Sequence, residues 1–270
     1  MQTAYYYNVL SPTHQQIYEQ ILDGYTKHMT DIAISGKCNI TKLKKINEYL
    51  LFDHHKLFYV GKKYQFKRHD GITISIHGLA NFQISKPFSL PIIYWPYWDI
   101  EIFYPSYNYS LSEANKIQKQ IDAELNAVLQ PIATSVTEII DKEKAIYEYL
   151  VQNTKCNLKE GEIEHTNYSI VGPFLKKLAV CEGYAKAFKY LCDVINFFCI
   201  VVCGIGLIGS SEEHAWNIVK IGRAYYHVDV TWDISQNNKP FKYFNISDKE
   251  MSMDHKWDKQ MYPTCEADLK

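Results

Sequence analysis

The feature that most constrains this sequence is a pair of apolar runs separated by two residues. HAWNIVKI (214–221) and AYYHVDVTW (224–232) flank Gly222 and Arg223. A two-residue connection with glycine first closes a tight hairpin and fixes the register of the strands it joins. Pairing Ile221 with Ala224 sets His214 opposite Thr231 and makes Asp229 the diagonal neighbour of His214 on one face of the sheet. Diagonal neighbours sit about 7 to 8 Å apart, a gap that an imidazole and a carboxylate span. The hairpin therefore predicts a hydrogen bond between His214 and Asp229, provided no bulge shifts the strand by one residue.

Ahead of the hairpin lies VCEGYAKAFKYLCDVIN (180–196), where Tyr184, Ala187, Phe188, Leu191 and Ile195 recur at helical spacing. Cys181 stands at the start of that helix. Unpaired N–H groups and the positive end of the helix dipole favour a thiolate there, and cysteines so placed titrate as low as about 3.5 to 7.5. A nucleophilic cysteine also needs a base and a group to orient that base. Cys181, His214 and Asp229 meet those needs; the competing reading of any cysteine is a buried packing residue. His227 shares the face of Asp229 and competes for its carboxylate, whereas His54, His55 and His165 fall in loop-like stretches without a paired acid. Cys192 falls inside the helix, and Cys199 and Cys203 in an apolar strand-like run, which matches no zinc ribbon or finger.

Elsewhere the pattern is mixed. Ser11 and Pro12 open one helix and Thr41 a second. LFYV, KYQFKR, GITISIHG and IIYWPYWDIEIFY then read as strands, with Pro87, Pro91, Pro96 and Pro105 keeping them short or at sheet edges. Ser110 with Glu113, and Ser135 with Glu138, form capping-box patterns ahead of two further helices. A domain boundary is expected near Pro131, dividing a mixed N-terminal part of unknown role (1–130) from a second domain (131–270).

With 29 Lys+Arg against 30 Asp+Glu, the 270 residues carry a formal net charge of −1, no electrostatic footprint for nucleic acid. The longest apolar stretch, Phe197 to Gly209, falls short of the ~20 residues that span a bilayer, so no membrane insertion is expected. The N-terminus does not read as a signal peptide. The expected location is cytoplasmic if the chain is complete, and secreted or cell-surface if a signal peptide has been removed. Seven cysteines, an odd number at irregular spacing, read as reduced thiols. The 22 tyrosines, without accompanying basic residues, read as packing area.

AVCEGYAKAFKYL, HAWNIVKI and YYHVDVTWD, in that order, closely resemble the core of the transglutaminase-like superfamily. YFNISDKEMSMDHKWD is similar to the C-terminal signature of its microbial branch, which includes cysteine peptidases and cytokinesis-type proteins. The resemblance runs from about Asp141 to Trp257. It implies an α+β, papain-like core with the nucleophile at a helix N-terminus packed on an antiparallel sheet. It also implies Cys181 as nucleophile, His214 as base and Asp229 as the orienting acid, with Tyr168 or the Cys181 N–H at the oxyanion and Trp216 and Trp232 walling the cleft or packing beneath it. The implied activity is acyl transfer at amide bonds of a peptide or protein, most simply hydrolysis by a peptidase or deamidase. The alternatives are a protein-glutamine transglutaminase and a non-catalytic binding domain that keeps the fold. The calcium sites of the animal enzymes have no counterpart in this sequence, so the resemblance implies no cofactor and no metal.

Overall fold

The computed structural model describes residues 4–68, 73–77, 81–84, 100–135, 138–156, 163–207, 211–235 and 241–269. The chain divides between Asn115 and Lys116 into two compact units. In the first, α1 (Tyr5–Asn8), α2 (Pro12–Thr26) and α3 (Ile40–Asp53) accompany a five-stranded antiparallel sheet. Its strands are β1 (Ile32–Ala33), β2 (Val60–Arg68), β3 (Thr73–His77), β4 (Asn81–Ile84) and β5 (Ile100–Tyr107), in the order β1-β5-β2-β3-β4. Ile17, Ile21 and Tyr25 of α2, Leu43, Ile46 and Leu50 of α3, and Phe66 and Phe103 of the sheet are all buried. That is the helical periodicity expected from the sequence, with the apolar face turned inward.

Two local expectations change. LFYV is not a strand of its own, because Leu57 closes a short 3-10 turn and Val60 opens β2. Pro105 sits inside the eight-residue β5, opposite Tyr64 and beyond the two residues that β1 pairs, where the strand is locally an edge. Pro87, Pro91 and Pro96 lie outside the described residues.

Between Asp53 and its donors this unit holds a buried charge. The Asp53 carboxylate accepts from the backbone N–H groups of Tyr6 (3.2 Å) and Tyr7 (3.0 Å) and from the Tyr18 hydroxyl (2.9 Å).

The long helix α4 (Leu111–Ser135) opens with the expected capping box. Glu113 N–H donates to Ser110 Oγ at 3.3 Å, and Ser110 N–H donates to Glu113 Oε2 at 2.9 Å. The helix then runs through Pro131, so the division of the chain falls near its start and not at the proline. A proline inside a helix costs ~3 kcal/mol. Leu129 and Ile132, buried on either side of it, each contribute ~1.5 to 3 kcal/mol by continuing the apolar stripe of Ile121 and Leu125. Because α4 extends to Ser135, that serine ends one helix and does not cap the next; α5 (Ile139–Asn153) is preceded by Glu138 at its cap position.

In the second unit a short parallel pair, β6 (Lys155–Cys156) with β7 (Leu178–Ala179), leads into α6 (Cys181–Val194). There follow β8 (Cys199–Gly206), β9 (Glu212–Ile221), β10 (Ala224–Val228), α7 (Val230–Ser235), β11 (Phe244–Ile246), α8 (Asp248–Met251) and β12 (His255–Lys256). They form an antiparallel sheet in the order β11-β10-β9-β8-β12. Helix α6, with Tyr184, Ala185, Phe188 and Leu191 buried, packs on β8 and β9 of that sheet. Asn217 ties the layers together, its Nδ2 donating to the carbonyls of Ala185 (3.0 Å) and Ile200 (3.2 Å). A helix that begins at Cys181 thus packs on an antiparallel sheet, the α+β arrangement expected from the sequence. No described helix is long and apolar enough to cross a membrane.

Candidate active site

The hairpin register is the one that the two-residue turn dictates. Gly222 takes a positive φ of 60°, and Ile221 pairs with Ala224, Ile218 with His227 and Asn217 with Val228. There β10 stops. The sequence carries the strand on to Trp232, but Val230 begins α7 instead, so Thr231 is not opposite His214. Asp229 causes the change: its Oδ1 accepts from the Trp232 N–H at 3.1 Å, the bond of an N-capping aspartate. The backbone is thereby turned out of the sheet, while the other carboxylate oxygen is left facing His214.

The His214 to Asp229 bond forms at 2.6 Å, from imidazole Nε2 to Oδ2. Cys181, the half-buried first residue of α6, lies near enough for its sulfur to act on the charge of the same imidazole. Burial alone would lower the imidazole, but the Asp229 carboxylate, and behind it the Cys181 sulfur, hold it up at about 10. For Asp229, burial pushes upward, and the two histidines against it outweigh that and hold the carboxyl below the usual carboxylate range. The site thus favours an imidazolium between an anion and a sulfur.

The turn that precedes β7 brings the third strand of chain to this point. Val180 N–H donates to Asn167 O (3.1 Å), and Asn167 Nδ2 donates to Leu178 O (3.0 Å), locking the 3-10 turn His165–Tyr168 against the start of α6. Gly183 permits the contact, since a Cβ there would meet Asn167 O at 2.2 Å. Tyr168 consequently shares the neighbourhood of Cys181 and Glu182; burial raises its hydroxyl, with those two groups adding to the effect. Cys156, next to β7 in the parallel pair, is likewise pushed up to about 11 by burial, then by Cys181. All seven cysteines are free thiols.

Both tryptophans lie beneath the imidazole. Trp216, 1% exposed, stacks on His214 with ring centroids 5.9 Å apart, and Trp232 sits at 5.3 Å. Trp216 Nε1 donates to His227 Nδ1 (2.9 Å), and His227 Nε2 meets Asp248 Oδ1 at 2.9 Å. His227 therefore does not compete for Asp229, as its place in the strand suggested; its partner is Asp248. The competitor is His255, whose Nε2 lies 3.1 Å from Asp229 Oδ2. Sequence reasoning passed over His255, although the Asp254-His255 pair in DHKW is itself a signal. His165 is exposed at the start of the 3-10 turn, and His54 and His55 lie at the end of α3 in the other unit.

Among the described residues, two groups have ligand atoms within 4.8 Å of one another: His214, Asp229 and His255; and His227, Asp248 and Cys265. In the second, the Trp216 donor makes His227 Nδ1 an acceptor, so Nε2 carries the proton and points it at Asp248. In the first, both imidazole Nε2 atoms are at hydrogen-bond distance from one oxygen. Each group is a hydrogen-bond set in which an ion would have to displace a proton.

Residues 126–230 match the family model of the transglutaminase-like superfamily. Similar solved structures are a TGase (15% identity over 56% of this chain and 46% of that one, TM-score 0.38) and a candidate cysteine protease from Cytophaga hutchinsonii (12%, 65% and 63%, TM-score 0.36). A third is the periplasmic domain of TgpA from Pseudomonas aeruginosa (14%, 53% and 58%, TM-score 0.35). The chain thus spans 46 to 63% of their lengths. No curated protein matches the chain.

Proposed function

We propose that this chain is a cysteine-dependent acyl-transfer enzyme acting on amide bonds of a peptide or protein, with Cys181 as nucleophile, His214 as base and acid, and Asp229 as the group that orients His214. The observation that carries the reading is the buried His214, bonded through Nε2 to Asp229 at 2.6 Å and raised by both that carboxylate and the Cys181 sulfur at the start of α6. In this mechanism the thiol proton passes to His214 and the sulfur attacks the amide carbonyl carbon. The carbonyl electron pair moves to oxygen, where the Cys181 backbone N–H and Tyr168 are the proposed donors. As the oxygen pair returns, the C–N bond breaks and His214 delivers its proton to the departing amine, leaving a thioester. Water, deprotonated by His214, then releases the acid and restores the thiol.

Water is the favoured acceptor because the C-terminal motif resembles the peptidase-like microbial branch. The test begins with iodoacetamide at pH 6.5 and peptide mapping. Alkylation concentrated on Cys181, and slowed at least tenfold by His214→Ala, is expected; equal rates would defeat the proposal. Incubation with a glutamine-rich protein and a fluorescent primary amine then separates the reactions. Ammonia release or new peptide termini without label supports hydrolysis, whereas label without cleavage replaces it with transamidation.

A further inference from the structure

Asp229 Oδ2 serves two imidazoles, and the mechanism above uses one. The second belongs to His255, in β12, where it pairs with Gly206 of β8 and is wholly buried. Its Nε2 lies 3.1 Å from Asp229 Oδ2 and its Nδ1 lies 2.7 Å from Asp254 Oδ1. Carboxylates accept and do not donate, so between two ionised carboxylates both ring nitrogens must donate. His227, a few ångström away, shows the alternative: with the Trp216 indole donating to one nitrogen, a single proton satisfies the ring.

The groups around His255 keep it in place. The rings of Trp232 (3.9 Å), Trp216 (5.0 Å), His214 (5.4 Å) and Tyr243 (5.6 Å) surround it. On the far side, Asp254 Oδ2 accepts from the Tyr243 hydroxyl at 2.6 Å and has Lys242 Nζ at 3.9 Å. The result is a chain of contacts running from Tyr243 and Lys242 through Asp254, His255 and Asp229 to His214. One oxygen of Asp229 is taken by the Trp232 N–H, so the carboxylate has a single oxygen for His214. What prevents that oxygen from swinging away is a second donor on it.

We infer that His255, anchored by Asp254, is a positioning residue of this site: its Nε2–H fixes Asp229 Oδ2 in the orientation that holds His214 against Cys181. This rests on the acyl-transfer reading. It predicts that the donor matters, and that the shape of the ring does not.

His255→Gln and His255→Met separate the two, since the side chains are close in length and only Gln presents an N–H near the Nε2 position. Alkylation of Cys181 by iodoacetamide at pH 6.5 is the first readout, because it needs no natural substrate. The low-field proton resonance of the His214 to Asp229 hydrogen bond is the second. Expected are a Gln variant within about threefold of wild type with the resonance kept, and a Met variant slowed by about tenfold or more with the resonance lost, the size of effect typical when an outer partner of a site is removed. If Met does not fold, His255→Phe, which keeps the ring and lacks the donor, takes its place. Any result in which Gln fares no better than the variant without a donor overturns the inference. A wild-type rate that His214→Ala leaves unchanged defeats the acyl-transfer reading and this one with it. A His214-dependent wild type with Gln and Met equal defeats only the role of His255.

Discussion

Two buried aspartates, one in each unit, make an instructive pair. Asp53 and Asp229 are 8% and 1% exposed, and both accept hydrogen bonds that offset the cost of burying a carboxylate. The donors to Asp53 include two backbone N–H groups and a tyrosine hydroxyl, which keep their protons at any pH the fold survives. Asp229 takes one backbone N–H and two imidazoles. The first arrangement joins helices; the second couples the carboxylate to groups that gain and lose charge. Chemistry enters with the kind of donor, and burial is common to both.

The comparison breaks most sharply at Asp229 itself. Asp229→Asn keeps an oxygen for the Trp232 N–H but presents an amide to His214, and is expected to slow turnover by about 10³ to 10⁴. Asp229→Ala loses the helix cap as well and should be about 1 kcal/mol less stable than the Asn variant in urea unfolding. An Asn variant with wild-type turnover would remove the orienting role. Next are the tyrosines. Tyr168→Phe should lower turnover by about 10² with an unchanged melting temperature, as loss of an oxyanion donor does. Tyr18→Phe, beside Asp53, should cost ~1 kcal/mol of stability and leave Cys181 alkylation untouched. If both act on stability alone, Tyr168 has no part in the chemistry.

Asp53→Asn is expected to cost about 2 to 3 kcal/mol, read by chemical unfolding, again without effect on Cys181. Further effects concern pH. His214 has a folded value of about 10 against 6.5 unfolded, so its contribution is complete below pH 6.5 and is lost as pH rises through about 10. Glu143, buried with Asn245 Nδ2 donating to its Oε2 at 2.9 Å, is raised by burial to about 8. Its stabilisation is complete below pH 4.5 and lost as pH climbs through about 8. Glu143→Gln should therefore raise stability at pH 9 by about 1 to 2 kcal/mol while changing little at pH 5. Unfolding midpoints at the two pH values decide it, and a loss at pH 9 would refute it.

Much of the second unit was legible because periodic rules govern it. The two-residue turn fixes the register of β9 and β10, and the apolar spacing after Cys181 fixes the face that α6 buries. The strand end at Val228 was not legible, because a side chain bonding an N–H three residues ahead competes with the sheet and no periodicity records it. Pro131 misled for a related reason: the buried stripe on either side of it outweighs its local cost. His255 escaped because 26 residues separate it from Asp229, and only the two-residue pairing of β12 with β8 brings it home. Short strands of that kind have no sequence pattern long enough to read.

One carboxylate both starts α7 and faces the imidazole, and this has an evolutionary consequence. Under the acyl-transfer reading, a descendant that abandoned catalysis could shed the sulfur at little structural expense, yet it would still be selected to retain an aspartate at position 229 for the sake of the helix. Survival of that acid in a degenerate relative is therefore poor testimony to activity; the fate of the thiol is the better witness.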